Sequence, residues 1–423
     1  MTQFAPTKII KTDMAILGGG IAGLWLANLL KNKGYDLLLL ETHALGGGQT
    51  LASQGMIHGG MKYTLSGALS GASESIADMP SYWRRCLCGD GDVSLHNTRI
   101  LSDHFFLWSG ESVSSKLTTF FASKLTRGRV TPVDSDHRPA FLRHQDFTGS
   151  LYRLDDLVID VPSLVANLAH NLDGRCISID ADYQLNETEA GRYCLRSHSQ
   201  SQEIHAQQFI LCAGGANQGL LDQLGVDKPE QQLRPLQQVM VKHQHPFDFF
   251  GHCVGTDSTP RLTISSHRLP AGERIWYLGG SLAEKGAPMS EEDLITLAKS
   301  ELNELIPWVN FDKATWATFH VSRAEAKQPG LIRPDNAFAE TINNTNICIG
   351  WPTKLTLAPN MANQLLSLLE EKDIQPLFAN NKENLQGLIA APFAKTPWEI
   401  AFPPAVPIEE TLAKRFIEED EDD

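Results

Sequence analysis

The chain has 423 residues, 42% hydrophobic and 20% charged, the balance of an ordinary globular protein with length for two or three domains. Its 36 basic and 50 acidic residues leave a formal net charge of −14, which argues against a nucleic-acid partner held by bulk electrostatics. No apolar run approaches the roughly 18 residues of a membrane span, and residues 1–12 hold no run of signal-peptide length, so neither is expected.

The first informative stretch is residues 13–63. Residues 13–17 are a short apolar run, and Gly18, Gly20 and Gly23 follow as a GxGxxG. In that pattern Gly18 permits a tight turn, Gly20 lets backbone approach a pyrophosphate, and Gly23 lets a helix pack closely on the strand. The phosphates then meet a helix N-terminus, with Ile21 and Ala22 in its first turn, where free N–H groups and the dipole favour negative charge. Apolar spacing predicts that helix as far as Lys31, with Gly34 ending it. Leu37 to Leu40 reads as a strand buried on both faces. Glu41 closes it, 18 positions beyond Gly23 and placed to bind a ribose hydroxyl, with Thr42 beside it. The bland alternative is a glycine turn in an ordinary βαβ unit.

Residues 46–63 form a second loop dense in glycine and small hydroxyl residues, including Gln49, Thr50, Ser53, Gln54, Gly55, Met56, Ile57, His58, Lys62 and Tyr63. This loop resembles the D-amino acid oxidase (DAO) superfamily of FAD enzymes. Its Ile-His-Gly-Gly-x-x-Tyr core is most similar to flavin-dependent glycerol-3-phosphate dehydrogenases and L-2-hydroxyglutarate oxidases. Small residues there let backbone approach a planar ring. Residues 66–78 could form a helix but carry little information.

From residue 80 to about 149 the chain turns aromatic and arginine-rich among short strand-like runs, as a lid or cavity wall would. Cys86-x-Cys88 is too tight for a zinc knuckle and has no second pair, so no metal is expected. All seven cysteines, scattered and odd in number, read as reduced thiols of a cytoplasmic protein. Val161-Pro162 starts a helix well. A meander follows, with runs at 192–196 and 203–206, and then a buried strand from 209 ending in Ala213 and Gly214. The resemblance implies that this end approaches the dinucleotide; a tight strand-to-helix turn is the rival reading.

Residues 233–241, 261–265 and 274–278 read as antiparallel strands. Residues 291–305 read as an amphipathic helix capped by Ser290 and stopped by Pro307. Relatives carry a Gly-x-Arg-Pro near residues 316–323. Here the glycine and proline are missing, so Arg323 is one counterpart and Arg333, followed by Pro334, its rival. Either would hold a carboxylate or phosphate through its planar fork, or else serve in a structural ion pair. The strand at 347–349 leads through Gly350, Thr353, Lys354, Leu355 and Thr356 into a helix from about 359 to 370, and resembles the superfamily's C-terminal flavin segment. Trp351 and Pro352 stand where relatives have more glycine. Six prolines beyond residue 373 suggest an extended arm, and the last acidic residues a solvated tail.

The resemblance implies an α/β fold: a Rossmann-like FAD domain of segments 1–80, 150–230 and 330–375. A substrate domain of antiparallel sheet, 81–149 and 231–329, is interposed, with 376–423 as the arm. It implies FAD, with hydride transfer from a small, anionic 2-hydroxy acid or polyol phosphate, and oxygen or a quinone as acceptor. The alternatives are an amine or amino acid oxidase, and a tRNA-modifying or non-catalytic partner flavoprotein. His58 and His320 are the candidates to take a hydroxyl proton. His58 is alternatively a backbone-bonded loop residue or a point of covalent flavin attachment. Lys62, Tyr63, Arg323 and Arg333 are the substrate-binding candidates.

Overall fold

A computed structural model describes residues 8–60, 76–111, 113, 130–197, 199, 201–255, 259–329, 334, 336–378 and 385–403. Two eight-stranded sheets and a small three-stranded one carry the fold, a mixed α/β architecture as the sequence implies.

In the first sheet, strand Lys8–Leu17 runs parallel between Leu37–Glu41 and Gln202–Leu211. Cys176–Ser178 continues the sheet beyond Leu37–Glu41, and Ile347–Trp351 pairs parallel with the C-terminal end of Gln202–Leu211. Gln184–Glu189, Arg192–Ser197 and Phe338–Ile342 add antiparallel strands at the margins. The runs at 203–206 and 209–211 are thus one strand of 10 residues, whose first half pairs with the meander and whose second half enters the parallel core.

The continuous apolar run at 37–40 follows from burial on both faces. Met14, Ile16, Leu37 and Leu39 pack against helices Ile21–Asn32, Val161–His170 and Ala358–Glu371, while Ala15, Leu17, Leu38 and Leu40 enter a second core with Phe209, Ile349 and Trp351. The first helix ends near the predicted place, with Gly34 at φ +93° just past it. Asp160, rather than the proline alone, sets the start of Val161–His170: its side chain accepts from Ser163 N at 3.0 Å.

The second sheet runs in the order Thr315–Ala326, Gln231–His243, Arg274–Gly279, Leu262–Arg268, Gly251–Cys253, Phe105–Trp108, Leu151–Leu154, Val130–Pro132. Every neighbouring pair is antiparallel except Gly251–Cys253 with Phe105–Trp108. One face carries Val239, Val241, Ile264 and Leu278 against Leu294, Ala298 and Leu302 of helix Glu291–Leu305. Ser290 caps that helix as expected, accepting from Asp293 N at 3.1 Å, with three acids in the first turn. The opposite face is left for the site.

The third sheet brings Met56–Ile57 beside Leu157–Ile159, with Ile100–Ser102 on the other side. The described residues past 373 are pinned to the first sheet. Asp13, fully buried, accepts from the N–H groups of Leu377 and Phe378, and residues 389–394 exchange backbone hydrogen bonds with Leu45, Cys176 and Ser178. Most of the helix expected at 66–78 lies outside the described residues. Among those that are described, no helix is long and apolar enough to cross a membrane.

Candidate cofactor and substrate site

A cavity of about 1400 Å³ opens where the C-terminal ends of the parallel strands meet the free face of the second sheet. The described cofactor and catalytic candidates line it, apart from Gly23 and Ile57, which stand behind its wall. Lys62, Tyr63 and Arg333 lie outside the described residues.

The glycine turn is held by sterics. Gly18 sits at φ +114°, and a Cβ there would lie 2.6 Å from the Cys212 carbonyl; one on Gly23 would lie 2.0 Å from the Gly18 carbonyl. Gly20 caps helix Ile21–Asn32, and no acid stands in the helix's first turn to neutralise its dipole. Thr50 reaches in from the second loop and accepts from Ile21 N at 3.0 Å. Gly46 N donates to the Gly19 carbonyl at 2.8 Å, so the two glycine loops are sewn together. Glu41 accepts from Gly19 N at 2.6 Å and from His43 N at 2.8 Å, which fixes its carboxylate beside the turn.

Two more segments close on the same place. Ala213 N donates to Asn217 Oδ1 at 2.8 Å, and Trp351 Nε1 donates to the Gly214 carbonyl at 3.2 Å, binding the 213–217 turn to the end of strand Ile347–Trp351. Thr353 holds φ +58° and donates from its hydroxyl to the Asn336 carbonyl at 3.1 Å. The Thr356 hydroxyl donates to the Met56 carbonyl and accepts from His58 N, each at 3.4 Å. Gly59 N donates to Asp156 at 3.0 Å, and His58 itself is buried.

The resemblance implied that the strands at 233–241, 261–265 and 274–278 floor a substrate cavity, but not which of their side chains do. Phe319 faces Gln238, Val239 faces Leu278 so that Gln238 neighbours Gly279, Gly279 faces Thr263, and Thr263 faces His252. Cross-strand partners share a face, so one row of side chains crosses five strands. Gln238, Thr263 and His252 are buried polar residues, and all line the cavity. Thr263 Oγ1 lies 2.8 Å from His252 Nδ1. The available signal was the alternation of residues 233–241, which puts Leu236 and Gln238 on one face and Gln237 and Val239 on the other.

That alternation also separates the two candidates on Thr315–Ala326. His320 pairs with Gln237 and is exposed, on the face opposite to Gln238. Arg323 pairs with Arg234 on the Gln238 face, four residues along from Phe319, or about 13 Å. The neighbouring Ala324 N donates to Gln49 Oε1 at 3.1 Å, so this end of the strand abuts the second glycine loop.

For a metal, one cluster among the described residues gathers Cys194, Glu203 and His205 with ligand atoms within 4.8 Å of one another. The Arg196 guanidinium already stands 3.2 Å from the Glu203 carboxylate, and its charge opposes a second cation. Burial pushes the Cys194 thiol up to about 12, away from the thiolate that binds metals.

The cavity fits FAD. Its glycines make a cradle that a Cβ would fill, the adjoining helix start faces it, and Ser53 Oγ, buried in the lining, has no hydrogen-bond partner among the described residues.

Comparison with known proteins gives the same cofactor. A family model described as FAD dependent oxidoreductase (DAO) matches residues 13–332. The probable FAD-dependent oxidoreductase PA4991 of Pseudomonas aeruginosa is 44% identical over 396 residues, covering 93% of this chain and 99% of its own. Its crystal structure superposes with a TM-score of 0.80, at 38% identity and with the same coverage. Two more distant structures share the fold. Glycine oxidase from Geobacillus kaustophilus has a TM-score of 0.61 at 14% identity, covering 88% of this chain and 97% of its own. L-alpha-glycerophosphate oxidase from Mycoplasma pneumoniae, with FAD bound, has 0.61 at 16%, covering 91% and 100%.

Proposed function

The chain belongs to the DAO family of FAD-dependent oxidoreductases, and we propose that it oxidises a small anionic substrate at a carbon bearing a hydroxyl or amino group. FAD, when bound, supplies the acceptor of a hydride equivalent at flavin N5. The 2-hydroxy acids and polyol phosphates suggested by the second loop's motif, and the amino acids of the alternative reading, all meet that description. Glycine oxidase and glycerophosphate oxidase, by their names, act on one of each kind.

The observation that carries this reading is a shared cavity: the glycine cradle and the polar row of the second sheet open into one space. We assign the pyrophosphate to the backbone of Gly18, Gly20, Ile21 and Ala22, and the ribose to Glu41 with Thr42. Residues 49–58, Ala213–Gly214 and 350–356 then border the flavin ring. The lining holds Arg323, Lys354 and Lys395 beside Glu41, Asp180, Glu284 and Glu291, and we assign an anionic group of the substrate to Arg323, which lies on the Gln238 face. His58, held beside Thr356, is the group we assign to take a hydroxyl proton; an amine needs only to arrive deprotonated. The same proposal includes the division into FAD-binding segments 1–80, 150–230 and 330–375 and a substrate unit of 81–149 and 231–329. It also includes oxygen or a quinone as final acceptor.

The test is anaerobic bleaching of the bound flavin by a panel of hydroxy acids, polyol phosphates, amino acids and amines. Reduction by one class names the chemistry. Reduction by none, in protein that holds FAD, favours a partner or tRNA-modifying flavoprotein. Arg323→Met should raise KM for an anionic substrate with kcat little changed, and unchanged kinetics would remove Arg323 from the site.

A further inference from the structure

Strand Thr315–Ala326 ends the second sheet, with Gln231–His243 as its neighbour there. The backbone N–H and C=O groups of successive strand residues point to alternate sides. Thr318 N donates to Glu291 Oε1 at 3.2 Å and Ala324 N to Gln49 Oε1 at 3.1 Å, so the even-numbered residues are the ones that turn away from Gln231–His243. Pro235, opposite Ser322, agrees with this register, because it has no N–H to offer across the pair. Between the two capped positions, the N–H groups of His320 and Ser322 point outward with no hydrogen-bond partner among the described residues. Both residues are exposed, and both line the cavity.

An open edge of this kind is a template for another strand, and folds blunt such edges with proline, lysine, bulges or brevity. The opposite edge of the same sheet, Val130–Pro132, is three residues long and ends in proline. Thr315–Ala326 has 12 residues, neither proline nor lysine, and an unbroken register with its neighbour. The two caps leave residues 319–323 open, roughly 17 Å at ~3.3 Å per residue. That span takes a single extended segment and is too short for the same 12-residue edge of a second copy. At its Thr318 end stand Glu291, Glu292 and Asp293, in the first turn of helix Glu291–Leu305, which favour a basic residue there.

We propose that residues 319–323 are a docking edge for an extended segment of a partner polypeptide, basic at its Glu291 end, which adds to the second sheet as a further strand. This goes beyond the function proposed above and holds for either substrate class. Carbonyls of the segment accept from His320 N and Ser322 N, and its own N–H groups donate to the carbonyls of the same two residues. Main-chain pairing of this kind supplies the affinity, and the charge at the Glu291 end sets the direction of approach. Alternate side chains of an added strand fall on the Gln238 face, so the segment lays every second residue towards the cavity.

The test uses FAD-loaded protein and the peptide acetyl-Lys-Thr-Val-Thr-Val-amide, with hydrogen–deuterium exchange of residues 315–326 read by mass spectrometry and Kd taken from the titrated protection. The expected result is protection of two further amides, those of His320 and Ser322, at saturating peptide. The fully N-methylated peptide, which has no N–H donors, should protect neither. Ser322→Pro removes one outward donor at a place where an edge strand tolerates proline, and should weaken the peptide about tenfold, while Ser322→Ala binds it as wild type does. Exchange that the peptide leaves unchanged overturns the docking edge, as does equal protection by the N-methylated peptide or equal binding by Ser322→Pro. Protection of both amides in FAD-loaded protein without peptide gives the edge to the cofactor, and protection that grows with protein concentration alone gives it to a second copy; either overturns the proposal. If Ser322→Pro does not fold, the N-methylated peptide decides. The oxidoreductase reading stands or falls separately, on flavin bleaching.

Discussion

The hydroxyl of Thr356 donates to the carbonyl of Met56 at 3.4 Å, although 300 positions separate the two residues in the chain. The same oxygen accepts from His58 N. One small side chain thus fastens the loop after the glycine turn to the start of the last long helix. Thr356→Val keeps the shape and removes the hydroxyl, so FAD affinity of the apoprotein should fall about fivefold, with Thr356→Ser restoring it. Fluorescence titration with FAD measures both, and an unchanged Kd in the valine variant would show that this fastening does not shape the flavin site.

Gly23→Ala tests the cradle by sterics alone. Its Cβ would stand 2.0 Å from the Gly18 carbonyl, a distance that only backbone movement relieves. The purified variant should lose its flavin, read as the ratio of absorbance near 450 nm to that at 280 nm. Retention of a full complement of FAD would place the pyrophosphate elsewhere.

Glu325 is fully buried and ion-paired with Arg234, whose side chain is mostly covered. Arg234→Met strands the carboxylate away from water, and the expected loss is about 3–5 kcal/mol in urea unfolding. Replacing both, Arg234→Met with Glu325→Leu, should recover much of it. A single variant as stable as wild type would mean that the carboxylate finds another partner.

Acid should destabilise the fold through two buried histidines. Burial lowers His243 and His267 from 6.5 to about 4, so each is neutral in the folded state where the unfolded chain already binds a proton. Their contribution is complete above pH 6.5 and falls as pH drops towards 4, by up to about 3 kcal/mol each, then levels off. His267 stacks on Trp398 with ring centroids 4.1 Å apart, so the same titration should loosen the short helix Pro397–Ala401 at the cavity mouth. Urea unfolding between pH 7 and pH 4 measures the first effect. A slope that His267→Phe leaves unchanged would show that His267 is not its source.

Much of the nucleotide-binding half was legible because its signals are local. The glycine turn, the Gly34 stop and the apolar run at 37–40 each act within one turn or strand, and the structure forms them where the residues said. The cavity floor depends on register. Nothing in the order of residues states that Phe319, Gln238, Gly279, Thr263 and His252 fall in one line, since five strands must first be aligned. For the same reason His320, a candidate for the hydroxyl proton, and Arg323, a candidate for the anion, three residues apart, were both placed at the site. Strand alternation puts them on opposite faces. Asp13 also went unread: its buried carboxylate serves the chain more than 360 residues later, at Leu377 and Phe378.

That last attachment bears on how the molecule is made. The parallel sheet begins with strand Lys8–Leu17, but strand Ile347–Trp351 and the residues 377–378 and 389–394 that tie Asp13, Leu45 and Cys176 are synthesised long after it. A nascent chain stopped short of these residues has the glycine turn without its neighbours. The cradle for the yellow coenzyme is therefore whole only once strand Ile347–Trp351 has been added to the sheet, and every shorter intermediate carries it half-built.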